Sequence, residues 1–121
     1  MEKINRIAVL QKQMKEKGVE AALIEDRRNR EYLVYSDIWE GSMIVTQDHA
    51  LLVADFRYYE MAASTVRDCD VRMCNNVEEG LKQIIRDLRI SDICFEKTIS
   101  WRRYVLLKDC LEGVFLNEAV C

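Results

Sequence analysis

Residues 50–61 join an apolar run directly to an amphipathic segment, and this stretch constrains the fold more than any other. The run Ala-Leu-Leu-Val-Ala favours a buried strand. It ends in Asp55, and aspartate is a preferred helix N-cap. Arg57 and Tyr58 then open a segment with helical spacing. We therefore predict a strand that turns into a helix, with Asp55 as the cap and Arg57 facing whatever lies beyond the strand's end.

The segments before this stretch begin with a helix. Helical spacing over residues 6–17 ends at Gly18, a residue type suited to a helix C-cap. A short apolar run at 21–24 predicts a buried strand, and Asn29 is expected to cap a short helical turn after it. Strand-like runs at 42–46 and 50–54, separated by three polar residues, predict a hairpin.

After the helix that runs to about Val66, strands and helices alternate. Strands are predicted at 70–74, 93–95 and 114–116. Helices are predicted to begin after Asn76 and Ser100, and the second is expected to end at Gly113. Alternation of this kind implies parallel crossovers, and the hairpin adds an antiparallel member. We predict one domain over residues 1–121 with a three-layer α/β fold. Its mixed, mainly parallel sheet has about six strands, with helices on both faces.

Composition excludes several functions. The net charge of −3 argues against nucleic acid as the main partner, because phosphate binding needs a basic face. No apolar run is long enough to cross a bilayer, and the first residues lack the apolar region of a signal peptide, so a cytoplasmic location is expected. The single histidine, His49, and five cysteines without a C-x-x-C pair predict neither a metal site nor a catalytic residue in this chain.

Charged residues follow several of the predicted strands. Carboxylates stand at or near strand ends, where α/β proteins bind ligands: Glu25, Asp26, Asp55 and Glu96. A cluster of them could hold magnesium for nuclease-like chemistry, which we keep as the least favoured hypothesis. The arginines at 27, 28, 30, 102 and 103 alternate with acids and are interpreted as solvated faces. Trp101, at the start of a helix, is interpreted as a packing residue.

The ordered set of segments resembles the amino-terminal domain of the creatinase, prolidase and aminopeptidase P family, the "pita-bread" metallopeptidases. The most specific piece is Leu-Leu-Val-Ala-Asp-Phe-Arg-Tyr at 51–58. It is supported by the opening helix with the run at 18–24, by Asn-Arg-Glu-Tyr-Leu at 29–33, and by 93–96 with the helix at 100–111. Two places depart from the family pattern: Asp26-Arg27 stand where Asn-Pro is common, and Val34-Tyr35-Ser36 where Thr-Gly-Phe is common.

The resemblance implies a ribonuclease H-like topology and a domain without catalytic residues. In the family, a carboxy-terminal domain holds two metal ions, often manganese or cobalt, through two Asp, one His and two Glu. That domain is expected to be absent from this chain, which alone would not be an enzyme. The resemblance implies a parent Xaa-Pro aminopeptidase or dipeptidase that acts on proline-containing peptides as a homodimer.

In this family the amino-terminal domain helps to build the dimer and shapes the active-site entrance. By that analogy the loop at 35–41 is a rim candidate, with Asp37 and Trp39 as its main contributors. Trp39 is equally compatible with a loop folded onto the core. Asp55, Arg57 and Tyr58 are candidates for an interdomain or intersubunit contact, whereas a helix cap with a salt bridge is the structural alternative. A peptidase-like protein-binding module without catalysis is the alternative function.

Overall fold

The computed structural model describes residues 4–36, 41–66, 68–111 and 115–118. The first half contains α1 (Arg6–Lys17), β1 (Ala21–Ile24), α2 (Arg27–Val34), β2 (Ser42–Thr46) and β3 (Ala50–Asp55). The second half contains α3 (Phe56–Thr65), β4 (Asp70–Cys74), α4 (Val77–Asp87), β5 (Asp92–Phe95), α5 (Trp101–Cys110) and β6 (Phe115–Glu118). The predicted order of helices and strands is confirmed.

The six strands form one sheet in the order β4-β3-β2-β1-β5-β6. Strand β2 is antiparallel to both of its neighbours, and all other pairs are parallel. The central strand β1 therefore has an antiparallel hairpin partner on one side and a parallel partner on the other. This confirms the mixed, mainly parallel sheet and the ribonuclease H-like topology.

Two apolar clusters occupy the two faces of the sheet. One joins α4 and α5 to the strands, with Leu81, Ile93 and Leu107 among its buried members. The other joins α1, α2 and α3 to the opposite face, with Ile7 and Met43 among its members. Alternate side chains of a strand point to opposite faces, so β1, β2 and β3 supply residues to both clusters. The predicted three layers follow from this division.

Two boundaries differ from the sequence predictions. Helix α2 is capped by Asp26, which accepts a hydrogen bond from the Arg28 N–H at 2.9 Å, and not by Asn29. Asn29 lies inside α2, two residues after its first residue, and its side-chain amide donates to Glu96. The last strand covers Phe115–Glu118 because its parallel pairing with β5 continues through residue 118. Gly113 and Val114, where we expected a helix end and the strand start, lie outside the described residues.

No helix in the described ranges combines the length and apolar character that a membrane span requires.

Candidate functional site

Four helices begin just beyond the carboxyl ends of strands and are capped by short polar side chains. Asp26, Asp55, Asn76 and Ser100 each accept a hydrogen bond from a backbone N–H in the first turn of α2, α3, α4 and α5. Each cap satisfies one of the N–H groups that a helix leaves unpaired. The fold thereby concentrates polar side chains at the end of the sheet where β1, β3, β4 and β5 terminate, and we call this end the carboxyl edge.

Asp55 and Arg57 pair with each other at this edge. An Asp55 carboxylate oxygen accepts from the Arg57 backbone N–H at 2.9 Å, and Arg57 Nη2 lies 2.8 Å from Oδ2 of the same carboxylate. The guanidinium also lies 5.2 Å from the centre of the Tyr58 ring. The side-chain hydrogen bond from Arg57 lowers the pKa of Asp55. The predicted cap and salt bridge are therefore both present.

The Arg57 side chain remains 57 % exposed although it pairs with Asp55. Phe56, between the paired residues in sequence, is 71 % exposed although it is a large apolar side chain. Exposed aromatic residues and arginine are both enriched at protein interfaces.

A second group, which we call the Arg103 network, consists of Arg103, Glu25, Glu78 and Ser42. Arg103 Nη2 lies 3.0 Å from a Glu25 carboxylate oxygen, and Nη1 lies 2.5 Å from a Glu78 carboxylate oxygen. The Ser42 hydroxyl lies 3.1 Å from both oxygens of Glu25. The network joins α5, the residue after β1, the first turn of α4 and the start of β2.

The electrostatics of the Arg103 network favour its charged form. Burial alone would lower the pKa of Arg103, but its hydrogen bond to Glu78 and the charge of Glu25 outweigh that effect and raise it. The hydrogen bond from Arg103 lowers the pKa of Glu78. Both carboxylates of the network thus share one cationic partner, Arg103.

Glu96 fastens the segment that follows β1. One of its oxygens accepts from the backbone N–H groups of Glu25 and Asp26 at 2.5 and 2.8 Å, and the other accepts from the Asn29 side chain. Arg30 lies buried below the segment and donates to the Glu25 carbonyl oxygen. Its burial lowers the pKa of the guanidinium, against the raising effect of Glu25 and other nearby carboxylates.

These contacts correct two interpretations made from the sequence. Arg30 and Arg103 are not on solvated faces: Arg30 is buried, and Arg103 bridges three elements. Arg30 and Glu25 are 5 residues apart in sequence, whereas Arg103 and Glu25 are 78 apart. The local alternation of charge therefore gave no sign of the contact between Arg103 and Glu25. Trp101 is also not a core packing residue, because it is 77 % exposed and stacks on Tyr104 at the surface.

The carboxylates do not form a metal centre. Of the four proposed for magnesium, Glu25 pairs with Arg103, Glu96 binds backbone and amide donors, and Asp26 and Asp55 are helix caps. No group of three or more His, Cys, Asp or Glu side chains in the described ranges is placed to hold a metal ion. Beside the Arg103 network lies a shallow cleft of about 300 Å³ lined by Asp26, Thr98, Ser100 and their neighbours.

The other predicted site residues are only partly placed. Asp55, Arg57 and Tyr58 lie together at the carboxyl edge, next to β4. Asp37 and Trp39 lie outside the described residues. Their role at a substrate rim therefore stays a prediction.

Comparison with known proteins identifies the family. The family model of the creatinase/prolidase N-terminal domain matches residues 6–119. A solved Xaa-Pro aminopeptidase structure from Streptococcus pyogenes aligns with a TM-score of 0.88 at 24 % identity, covering 94 % of this chain and 88 % of that chain. The N-terminal domain of the cytoplasmic peptidase PepQ from Mycobacterium tuberculosis aligns at 0.79 and 27 % identity, covering 94 % and 90 %. No curated protein matches the sequence.

Other solved relatives are much longer. The X-Pro aminopeptidase from Thermotoga maritima aligns with a TM-score of 0.84 at 21 % identity over 95 % of this chain, but that match covers only 33 % of its own chain. Likeness at such identities shows the shared fold, whereas the family-model match spans nearly the whole sequence. The chain belongs to the creatinase/prolidase N-terminal domain family.

Proposed function

We propose that this chain is the non-catalytic amino-terminal domain of an Xaa-Pro peptidase of the aminopeptidase P or prolidase type. The observation that carries the proposal is the family match over residues 6–119. It is supported by full-length relatives such as the Xaa-Pro dipeptidase from Bacillus anthracis, of which this domain covers 33 %. In such a parent the reaction belongs to the remaining part of the chain.

The proposed partner is a catalytic domain that holds two divalent metal ions, manganese or cobalt, and cleaves proline-containing peptides. The carboxyl edge is the surface we assign to that partner. Arg57 and Phe56 leave a cation and an aromatic ring exposed there, and the Tyr58 ring lies beside the Arg57 guanidinium. Asp37 and Trp39 are proposed to contribute to the rim of the active-site entrance.

The Arg103 network would serve this role by fixing the edge in one shape. It ties the segment after β1 to α4 and α5 through contacts whose partners are mostly shielded from water. A rigid edge lowers the conformational entropy lost when a partner docks. We also propose, from the family, that the parent acts as a cytoplasmic homodimer.

A peptidase assay on the purified chain tests the absence of catalysis. With an Xaa-Pro dipeptide and a longer Xaa-Pro peptide, with and without added manganese or cobalt, we expect no hydrolysis above the metal blank. Turnover that co-purifies with the chain and is abolished by a chelator would overturn the proposal.

The gene sequence beyond Cys121 tests whether the parent protein is a peptidase. If the reading frame continues past Cys121 with two Asp, one His and two Glu at family spacing, the parent is a peptidase. A continuation that lacks these ligands would contradict the peptidase assignment and support a protein-binding module.

A further inference from the structure

Among the strands that the structure describes, β4 is at one edge of the sheet and pairs with β3 alone. An edge strand presents unpaired backbone N–H and C=O groups that can pair with another chain. None of the five residues of β4 is fully buried, in contrast to the fully buried β2. Met73 is 57 % exposed although it is apolar. The strand is therefore accessible along its length.

The charges of β4 are arranged so that the strand complements itself. Asp70 and Arg72 are two residues apart, so they lie on the same face of the strand. That face is the one covered by α4, because Arg72 Nη1 lies 3.3 Å from an Asp87 carboxylate oxygen of that helix. Charges on edge strands usually oppose pairing. Here opposite charges flank Val71, and an antiparallel copy would place each charge opposite its counterion.

We propose that β4 pairs antiparallel with β4 of a second copy of this chain, centred on Val71. In this register Asp70 of each copy lies opposite Arg72 of the other, which gives two cross-strand ion pairs about a two-fold axis. On the other face, Met73 of each copy lies opposite Cys69 of the other. The two six-stranded sheets would then form one continuous sheet.

The charges also select this register against its neighbours. Centring the pair on Asp70 would place two aspartates opposite each other, and centring it on Arg72 would place two arginines opposite each other. Like charges directly opposite each other are destabilising in a sheet. Because register is fixed by such pairs, the Val71-centred arrangement is the one that the sequence of β4 favours.

This inference deepens the dimerising role in the proposed function, but it depends on this chain alone. Its failure would leave the peptidase assignment intact, because the assay and the reading frame test that separately. The association is expected to be weak, since the strand has five residues. The symmetric surface belongs to the class of isologous two-fold contacts.

Sedimentation velocity of the purified chain at low salt, over a concentration series, tests the proposal. We expect a monomer–dimer equilibrium in the wild type. Asp70→Arg and Arg72→Glu should each weaken dimerisation by about tenfold or more, because each replaces attraction by repulsion at both symmetric positions. The double variant restores both pairs and should dimerise like the wild type. Lys12→Glu, on the exposed side of α1, is the matched control and should change nothing.

Mixing the two single variants gives the sharpest readout. One variant carries two positive residues on β4 and the other carries two negative ones, so the mixture should form heterodimers more tightly than either forms homodimers. Far-ultraviolet circular dichroism checks that each variant is folded. A wild type that stays monomeric up to about 1 mM, single variants that dimerise as the wild type does, or a mixture without heterodimers would each overturn the proposal.

Discussion

Replacing Arg103 by methionine tests whether the Arg103 network holds the carboxyl edge together. Methionine keeps much of the apolar stem and removes the guanidinium that lies 3.0 Å from Glu25 and 2.5 Å from Glu78. A hydrogen bond to a charged group contributes roughly 1.5–3 kcal/mol when it is shielded from water, and an exposed pair contributes less than about 1 kcal/mol. The Glu25 side chain is only 14 % exposed, so the loss leaves a largely desolvated carboxylate without its cation.

We therefore expect Arg103→Met to lower the free energy of unfolding by about 3 kcal/mol. For a domain of this length that corresponds to a fall of about 12 °C in melting temperature. Urea unfolding followed by circular dichroism and a thermal scan measure the two quantities.

The matched control is Arg102→Met, because Arg102 is the exposed neighbour on the same helix. We expect a change within about 0.5 kcal/mol there. A double-mutant cycle with Glu25→Gln isolates the pair and should give a coupling energy of about 1–3 kcal/mol. If Arg103→Met costs no more than Arg102→Met, or if the cycle shows no coupling, the argument that the network stabilises the edge is refuted.

Three further predictions concern titration, packing and thiol reactivity. The hydrogen bond from Arg103 lowers the pKa of Glu78 in the folded chain. The ionised Glu78 therefore stabilises the fold above the ordinary glutamate pKa of about 4.3, and this stabilisation is lost as pH falls through the lower folded-state pKa. In urea unfolding from pH 7 to 3, the difference in unfolding free energy between wild type and Arg103→Met should shrink in acid, and a constant difference would contradict this. Gly80→Ala should lower the free energy of unfolding by roughly 1–3 kcal/mol despite better helix propensity, because its Cβ would lie 2.6 Å from a valine methyl group of β3. Gly18→Ala is the comparison: a Cβ there meets open space but the φ is +69°, so the variant should lose about 1 kcal/mol of unfolding free energy through backbone strain alone. Equal melting temperatures for wild type and Gly80→Ala would refute the packing argument. Burial and neighbouring acids raise the pKa of Cys69 to about 12. Iodoacetamide at pH 8 should therefore alkylate Cys69 slowly in the folded chain and rapidly in urea, as followed by peptide mass spectrometry. Rapid labelling of the folded chain would contradict this, because it would show that the thiol is accessible as thiolate.

Much of the fold was predictable because its signals are local. The apolar run before Asp55 and the helical spacing after it are contiguous, and Gly18, Asn76 and Ser100 mark helix ends through residue types that suit those positions. The order of strands then follows from the short hairpin and the parallel crossovers. These inferences need no knowledge of distant contacts.

The carboxyl edge was less predictable because its contacts are long-range. The sequence places Arg103 among solvated charges, and only the tertiary fold brings it to Glu25, 78 residues away. Asn29 has the residue type of a cap, but α2 begins at Arg27 and Asp26 accepts the capping hydrogen bond. Asn29 lies inside the helix and donates to Glu96, 67 residues away in sequence. Such choices depend on which of several local partners the tertiary fold supplies.

The most direct test of the central claim is the hydrolysis of an Xaa-Pro peptide by the purified 121-residue chain in the presence of manganese or cobalt, beside a complete Xaa-Pro peptidase as positive control. A domain that shapes an active site without containing one should give product only at the rate of the metal blank. Chelator-sensitive turnover that follows the chain through purification would contradict that account.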